Sequence, residues 1–319
     1  MKAIKSWFDN QPNSHSLEGI NPSGKDRQVD WVRIIPFIFL HLACLGVFFV
    51  GFSWVALGVA AVLYIARMFA ITAFYHRYFS HKTFRTGRVV QFLFALLGAS
   101  ATQRGPLWWA AHHRNHHRCS DREGDAHSPK DGFWWSHMGW FLSHRHFQAD
   151  YSLISDFQRF PELRWLDRHD LAVPALLAAF LYGLGALLEA VAPQLNTNGL
   201  QMLVWGYFVS TVVLIHASLC INSLAHRFGS VRYGTPDESR NNFWLALMTL
   251  GEGWHNNHHY YPASARQGFY WWEIDMSYYV LKGMERMGLI WNLRTIPVKR
   301  RDSNHLAKTA VPPTAEQQG

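Results

Sequence analysis

The sequence predicts an all-α integral membrane protein: four transmembrane helices, paired as two hairpins, and a cytosolic helical cap carrying a histidine-rich two-metal site. Three observations predict it. No charged residue lies between Arg33 and Arg67, and a second pair of apolar runs fills residues 171–221. Lysine and arginine are missing from both hairpin connectors and abundant elsewhere. Two HxxHH clusters stand among nineteen histidines, far more than a globular domain usually carries.

Residues 1–33, polar and irregular, read as a cytosolic N-terminal segment without a cleavable signal peptide. Residues 34–75 form the first hairpin. IIPFIFLHLACLGVFFV (34–50) and WVALGVAAVLYIA (54–66, extended to about Phe74) are joined by GFS. Each run of about 17–21 residues just suffices to cross the hydrocarbon layer. Arg67 near one end is expected to snorkel to the interface. Residues 76–170 form the first part of the cap. Within it VVQFLFALLGASAT (89–102) is too short to span, so it lies in the interface or against the cap. Residues 171–221 form the second hairpin, 171–190 and 200–221 around APQLNTNG. Residues 222–298 complete the cap, and 299–319 (KRRDSNHLAKTAVPPTAEQQG) read as a disordered tail.

The positive-inside rule puts both termini and the cap on the cytoplasmic side of the inner (plasma) membrane. The net charge of +8 fits attraction to an anionic leaflet. No basic stripe with interleaved aromatics points to nucleic acid. Cys44, Cys119 and Cys220 are scattered, without the spacing of a disulfide framework or thiolate metal site.

The histidines carry the chemistry. HRYFSH (His76 to His81) follows the second span, and HHRNHH contains HxxHH at His113, His116 and His117. NSLAH (Asn222, His226) follows the fourth span, and GEGWHNNHHYYP holds His255, His258 and His259. Positions i, i+3 and i+4 cover about 100° of a helix, so each HxxHH presents three imidazoles on one face. Two opposed faces, with His76, His81 and His226, give nine nitrogen donors: too many for one ion, enough for two. Imidazole accepts zinc, copper, iron or nickel. All nine share one side of the bilayer only if 89–102 does not cross it, which agrees with the charge pattern.

Other histidines read more blandly. His41 and His216 are structural, and His112 sits at the edge of the HxxHH face. His127, His137, His144 and His146 are surface groups or supports of the ligands. Glu252 and His255 form one ExxH, but a carboxylate-bridged di-iron bundle needs a second. GEG is therefore a turn delivering the histidine helix.

HRYFSH, HHRNHH and GEGWHNNHHYYP, in this order around four spans, resemble the membrane-bound fatty acyl desaturases with three histidine boxes. The resemblance runs from about residue 34 to 290 and is closest to acyl-CoA Δ9 (stearoyl-CoA-type) desaturases and their bacterial relatives. It implies nine metal ligands at His76, His81, His113, His116, His117, His226, His255, His258 and His259, with Asn222 reaching a metal through water. It also implies a non-haem centre of two iron ions (Fe2+/Fe3+) that uses O2 and two electrons to remove two hydrogens from a saturated acyl chain. An unactivated methylene has no acidic proton, so a redox-active metal is needed and zinc is disfavoured.

By the same analogy the second span closes the substrate tunnel, with Ala56, Ala60 and Tyr64 on one face and Tyr64 limiting chain length. Tryptophans Trp108, Trp109, Trp134, Trp135, Trp140, Trp271 and Trp272 wall the tunnel or anchor at the interface. Animal acyl-CoA members carry an Arg-Asp pair before the second box, where this chain has Ala111 and His112. The acyl carrier is thus a long-chain acyl-CoA first, with phospholipid or acyl carrier protein also open. Electrons must come from a separate small protein, a ferredoxin, rubredoxin or cytochrome b5-like partner on the basic face, since no dinucleotide, haem or iron–sulfur motif is present. A hydroxylase on the same scaffold is an alternative. A histidine-rich metal transporter or sensor is the reading from another class, disfavoured because the histidines gather on one side rather than across the bilayer midplane.

Overall fold

The computed structural model describes residues 28–306, which are mostly helical. The first apolar run forms α1 (Ile35–Ala43), a tight 3-10 turn (Cys44–Gly46) and a short helix (Val47–Val50). Ile35–Val50 is a shorter apolar helix of sixteen residues, and among the described residues three helices rather than four are long and apolar enough to cross a membrane. Gly51 ends the run at φ +71, a conformation that favours glycine. Ser53 then caps α2 (Trp54–Phe69) by accepting the Ala56 N–H at 3.2 Å. The Ser53 hydroxyl also meets Thr197 at 2.6 Å, and Gln201 Nε2 donates to the Val50 carbonyl at 3.0 Å. The two hairpin connectors are thereby tied together.

α2 continues without a break as a π-helix, Ala70–Ser80, making a 27-residue rod. At 1.5 Å per residue that is about 40 Å, more than the hydrocarbon thickness needs. Wide π turns are common at functional sites, and here they carry His76. α3 (Arg88–Ala99) is the short apolar segment, only 12 residues long, and it packs on this π stretch. Phe94 stacks on Phe74 at 4.0 Å. Gly98 permits the approach, since a Cβ there would lie 2.2 Å from the Tyr75 ring.

Arg67 departs from expectation. It does not snorkel but is fully buried between helices. Its guanidinium donates to the Leu63 carbonyl at 3.1 Å, the Ser100 carbonyl at 3.2 Å, Thr211 Oγ1 at 2.8 Å and Ser210 Oγ. An internal partner for each of its three nitrogens removes the need to reach water.

α4 (Pro106–Cys119) and α5 (Pro161–Arg168) belong to the cap. Asp167 on α5 accepts the Leu107 and Trp108 N–H groups at 3.0 and 2.8 Å, capping α4 from another element. α6 (Ala172–Val191) is the second span-length helix. The third begins at Gly199, passes through a π segment (Met202–Val209) and ends as α7 (Ser210–Ser223). α8 (His255–Tyr260) and α9 (Met276–Arg286) complete the cap. One two-stranded ribbon, β1 (Arg85–Thr86) with β2 (Ile290–Trp291), ties the end of the cap to the chain beyond the first histidine motif.

The tail is ordered further than its composition predicts. Val298–Arg301 form a helical turn, and Arg300 and Arg301 lie over the Tyr260 and Tyr270 rings at 4.8 and 4.7 Å. Cation–π contacts hold a segment that polarity alone assigns to solvent. Residues 307–319, like 1–27, lie outside the described residues.

Candidate metal centre

The nine predicted ligands come together as two groups. His76, His81, His113, His117 and His258 offer nitrogens all within 4.8 Å of one another, and His116, His226, His255 and His259 do the same. Each HxxHH helix is shared between them. α4 sends i and i+4 to the five-histidine group and i+3 to the other; α8 does the reverse. Facing Nε2 atoms sit close: His81 to His113 at 2.8 Å, His76 to His258 at 3.0 Å, His258 to His117 at 2.9 Å and His226 to His255 at 3.0 Å. With metal–nitrogen bonds of about 2.1 Å, two ligands at right angles on one ion are about 3 Å apart. The spacing is that of ligands.

Carboxylates fix the rings from behind. His116 Nδ1 meets Asp125 at 3.0 Å, His226 Nδ1 meets Asp121 at 3.0 Å, His259 Nδ1 meets Asp237 at 2.8 Å, and His76 Nδ1 bonds Glu252. Each pair sets the tautomer, leaving Nε2 bare toward its group. Glu252 is itself held by Arg77 at 3.1 Å and Gln267 Nε2 at 3.1 Å, and Arg77 also pairs with Asp275 at 2.9 Å. The GEG turn that places Glu252 depends on Gly251, at φ +128, where a Cβ would lie 2.4 Å from Asp275.

Burial favours the neutral form in six of the nine imidazoles. Burial, reinforced by neighbouring imidazoles, holds His81, His113, His117, His255 and His258 well below the usual range. Burial takes His259 down to about 4 against the pull of Asp237. At His116 burial is outweighed by Asp125, and the value rises. Neutral nitrogen is what a metal requires. The His259 Nε2 atom is buried with no hydrogen-bond partner among the described residues, an orphan that a metal ion would satisfy. The donor set fits two divalent transition-metal ions.

Sequence reading identified the nine histidines but not their division, nor the four carboxylates. Glu252 is a ligand's support as well as part of a turn, and the aspartates carried no local signal beyond following a histidine motif. His127 is buried against His116, with ring centroids 4.3 Å apart. His137 bonds Ser223 at 2.9 Å and His216 at 3.0 Å, and His216 bonds His41 at 2.9 Å. Asn222 lies on the last turn of α7 and lines a cavity together with His113.

That cavity runs between the cap and the apolar helices. Phe37, Leu40, Ile215 and Leu219 form its greasy side, and Trp108, Trp109 and Trp140 its cap side. Ala56, Ala60 and Tyr64 are not on its wall. Ala56 packs with Leu40 and Met202, and the Tyr64 hydroxyl donates to the Met248 carbonyl at 2.7 Å. Trp134, Trp271 and Trp272 are exposed, in keeping with anchoring.

A profile of the fatty acid desaturase family matches residues 52–292, about three quarters of the chain. The chain belongs to the fatty acid desaturase family. The chain is 35% identical over 276 residues to an sn-1 stearoyl-lipid 9-desaturase of Anabaena variabilis, covering 86% of this chain and 97% of the relative. It is 36% identical over 270 residues to an sn-1 stearoyl-lipid 9-desaturase of Synechocystis, covering 84% and 81%. An acyl-CoA 5-desaturase of Anemone leveillei is 36% identical over 283 residues, covering 85% and 84%. As an oxidoreductase of this family it has relatives that act on both lipid-borne and CoA-borne chains.

Proposed function

We propose that the protein is an O2-dependent desaturase that introduces a cis double bond, at the ninth carbon, into a saturated long acyl chain. The five- and four-histidine groups would each hold one iron ion. The observation that carries the reading is a cavity whose wall includes the ligand His113 and whose other side is apolar. The ninth-carbon assignment follows the two 9-desaturases among the relatives named above. Bound irons supply the activation of O2 that an unactivated methylene needs.

The chain's own residues do the rest. Nine imidazoles hold the ions, and Glu252, Asp121, Asp125 and Asp237 orient four of them. The apolar wall excludes water and seats an alkyl chain. Gln103 Oε1 accepts from Ser218 at 3.2 Å and from Trp109 Nε1 at 3.4 Å, which steadies the Trp109 ring stacked 5.2 Å from His113. Electrons arrive from a small ferredoxin, rubredoxin or cytochrome b5-like protein docking on the basic face. That face and both termini are cytoplasmic, at the inner membrane.

The test is gas chromatography–mass spectrometry of total fatty acids from bacteria expressing the chain, beside His258→Ala. New monounsaturated chains absent from the variant establish the activity, and fragments of their derivatives give the bond position. Hydroxylated chains would instead assign a hydroxylase. With no new product, two irons per purified protein keep the enzyme reading, and zinc or no metal ends it.

A further inference from the structure

The cavity lining includes Asp30, Arg33 and Ile34, just before α1 begins at Ile35, and Asp170 and Leu171, just before α6 begins at Ala172. Two apolar helices start at this rim; taken as the mouth, it lies at the boundary between hydrocarbon and headgroups, where glycerolipid ester groups reside. Trp31 and Trp165 stand exposed nearby, as interfacial tryptophans do.

Among the described residues that line the cavity, both arginines are paired. Arg33 pairs with Asp30 at 3.4 Å, and Arg104 pairs with Asp170 at 2.7 Å. The two guanidiniums lie over the Phe147 ring at 3.5 and 3.9 Å, a neutralised and stacked rim. A pyrophosphate would need unpaired cations here. Behind the rim the wall holds polar groups without partners. Trp140 is only 6% exposed, and its Nε1 has no acceptor among the described residues. Gln103 Nε2 and His112 Nε2, on the same wall, likewise have no hydrogen-bond partner among the described residues, and His127 Nδ1 has only Asp125, at 3.8 Å. The His112 and His127 rings lie 5.3 and 5.1 Å from Trp140, and His127 in turn abuts the ligand His116 at 4.3 Å. Buried donors of this kind imply an acceptor that is bound in use.

We propose that this wall seats the carboxylic ester of a membrane glycerolipid, with Trp140 Nε1 donating to the ester carbonyl, so that the enzyme takes its acyl chain from lipid and not from acyl-CoA. The inference rests on the desaturase reading above and names its substrate class. The ester enters from the bilayer interface, its chain extends past His127 toward the metal groups, and the uncharged wall accepts a linkage that carries no charge.

The iron-loaded protein in nanodiscs containing deuterated 1-stearoyl phosphatidylcholine, given carbon-13 stearoyl-CoA and an electron-donor system together, tests this by mass spectrometry. The deuterated lipid chain should gain the double bond at least about tenfold faster than the CoA-borne chain. An equal or faster CoA reaction overturns the proposal. A second arm needs no turnover: a phosphatidylcholine bearing a diazirine stearoyl chain should crosslink peptides containing Trp140 or Phe147, competed by stearoyl lipid and not by stearoyl-CoA. Crosslinking with neither chain desaturated refutes the desaturase reading and keeps the lipid seat; competition by stearoyl-CoA refutes the seat. Trp140→Phe, which keeps the ring and deletes one N–H, should raise KM for lipid about two- to tenfold with kcat and iron content unchanged. An unchanged KM removes Trp140 from the seat.

Discussion

Replacing Asp237 by asparagine changes one atom and should release one ion selectively. Asp237 Oδ2 lies 2.8 Å from His259 Nδ1, while Oδ1 accepts the Ser239 N–H at 3.0 Å and the Thr235 hydroxyl at 3.1 Å. Asparagine satisfies Ser239 and Thr235 only with its oxygen toward them, which turns its NH2 toward His259. The ring must then accept at Nδ1 and carry its proton on Nε2, the atom that faces the four-histidine group. The proton occupies the ligand position. Losing such an orienting carboxylate typically costs 10- to 100-fold in metal affinity, about 1.4–2.7 kcal/mol. None of Asp237's hydrogen bonds reaches the five-histidine group. In a chelator titration followed by metal analysis, half of the iron should therefore leave at a chelator concentration about 10- to 100-fold lower than in the parent, and desaturation should fall with that half. A variant that releases both ions in step, or neither early, refutes the reasoning.

Three further outcomes are expected. The metal-free protein should lose stability on acidification: burial holds His259 at about 4 in the fold against an ordinary 6.5, so the unfolded chain binds the extra proton between those values. Stability is complete above about 6.5 and declines toward 4, on the order of 3 kcal/mol from this residue alone; thermal melts of stripped protein across that range check it, and a flat profile counts against it. Gly251→Ala puts a Cβ against Asp275 at a φ of +128 and should cost about 1–3 kcal/mol and lower iron content, since it displaces the turn carrying Glu252; a parental melting temperature and metal content would contradict this. Tyr64→Ala deletes the bond to the Met248 carbonyl but, with Tyr64 off the cavity wall, should leave the chain-length profile of the products as in the parent; a shift toward longer chains would restore Tyr64 as the limit.

What was legible in the sequence was what is periodic. Three imidazoles at i, i+3 and i+4 declare a helix face, and long uncharged runs declare apolar helices. Long-range pairing left no such trace. His76 finds Glu252 176 positions away, and His226 finds Asp121 105 positions back, so no local pattern marks those carboxylates. Arg67 looked like a flanking charge because its acceptors, Ser100, Ser210 and Thr211, come from two other helices. Hydropathy places Ile35–Val50 with the longer spans, while the 3-10 turn at Cys44–Gly46 and Gly51 are details of backbone geometry. The ordered end of the chain escaped notice because its partners, Tyr233, Tyr260 and Tyr270, lie far upstream.

The unbroken rod from Trp54 to Ser80 has a consequence for anyone wishing to dissect the molecule. It supplies His76 to one metal group, while His226, three residues beyond the end of α7, serves the other. A cap cut from its apolar helices would forfeit His76 at one group and free His226 at the other from the helix that anchors it, so both metal groups depend on those helices. The metal centre is built into the same beams that are long and apolar enough to cross a membrane, and purification must carry a shell of detergent or bilayer from the first step to the last.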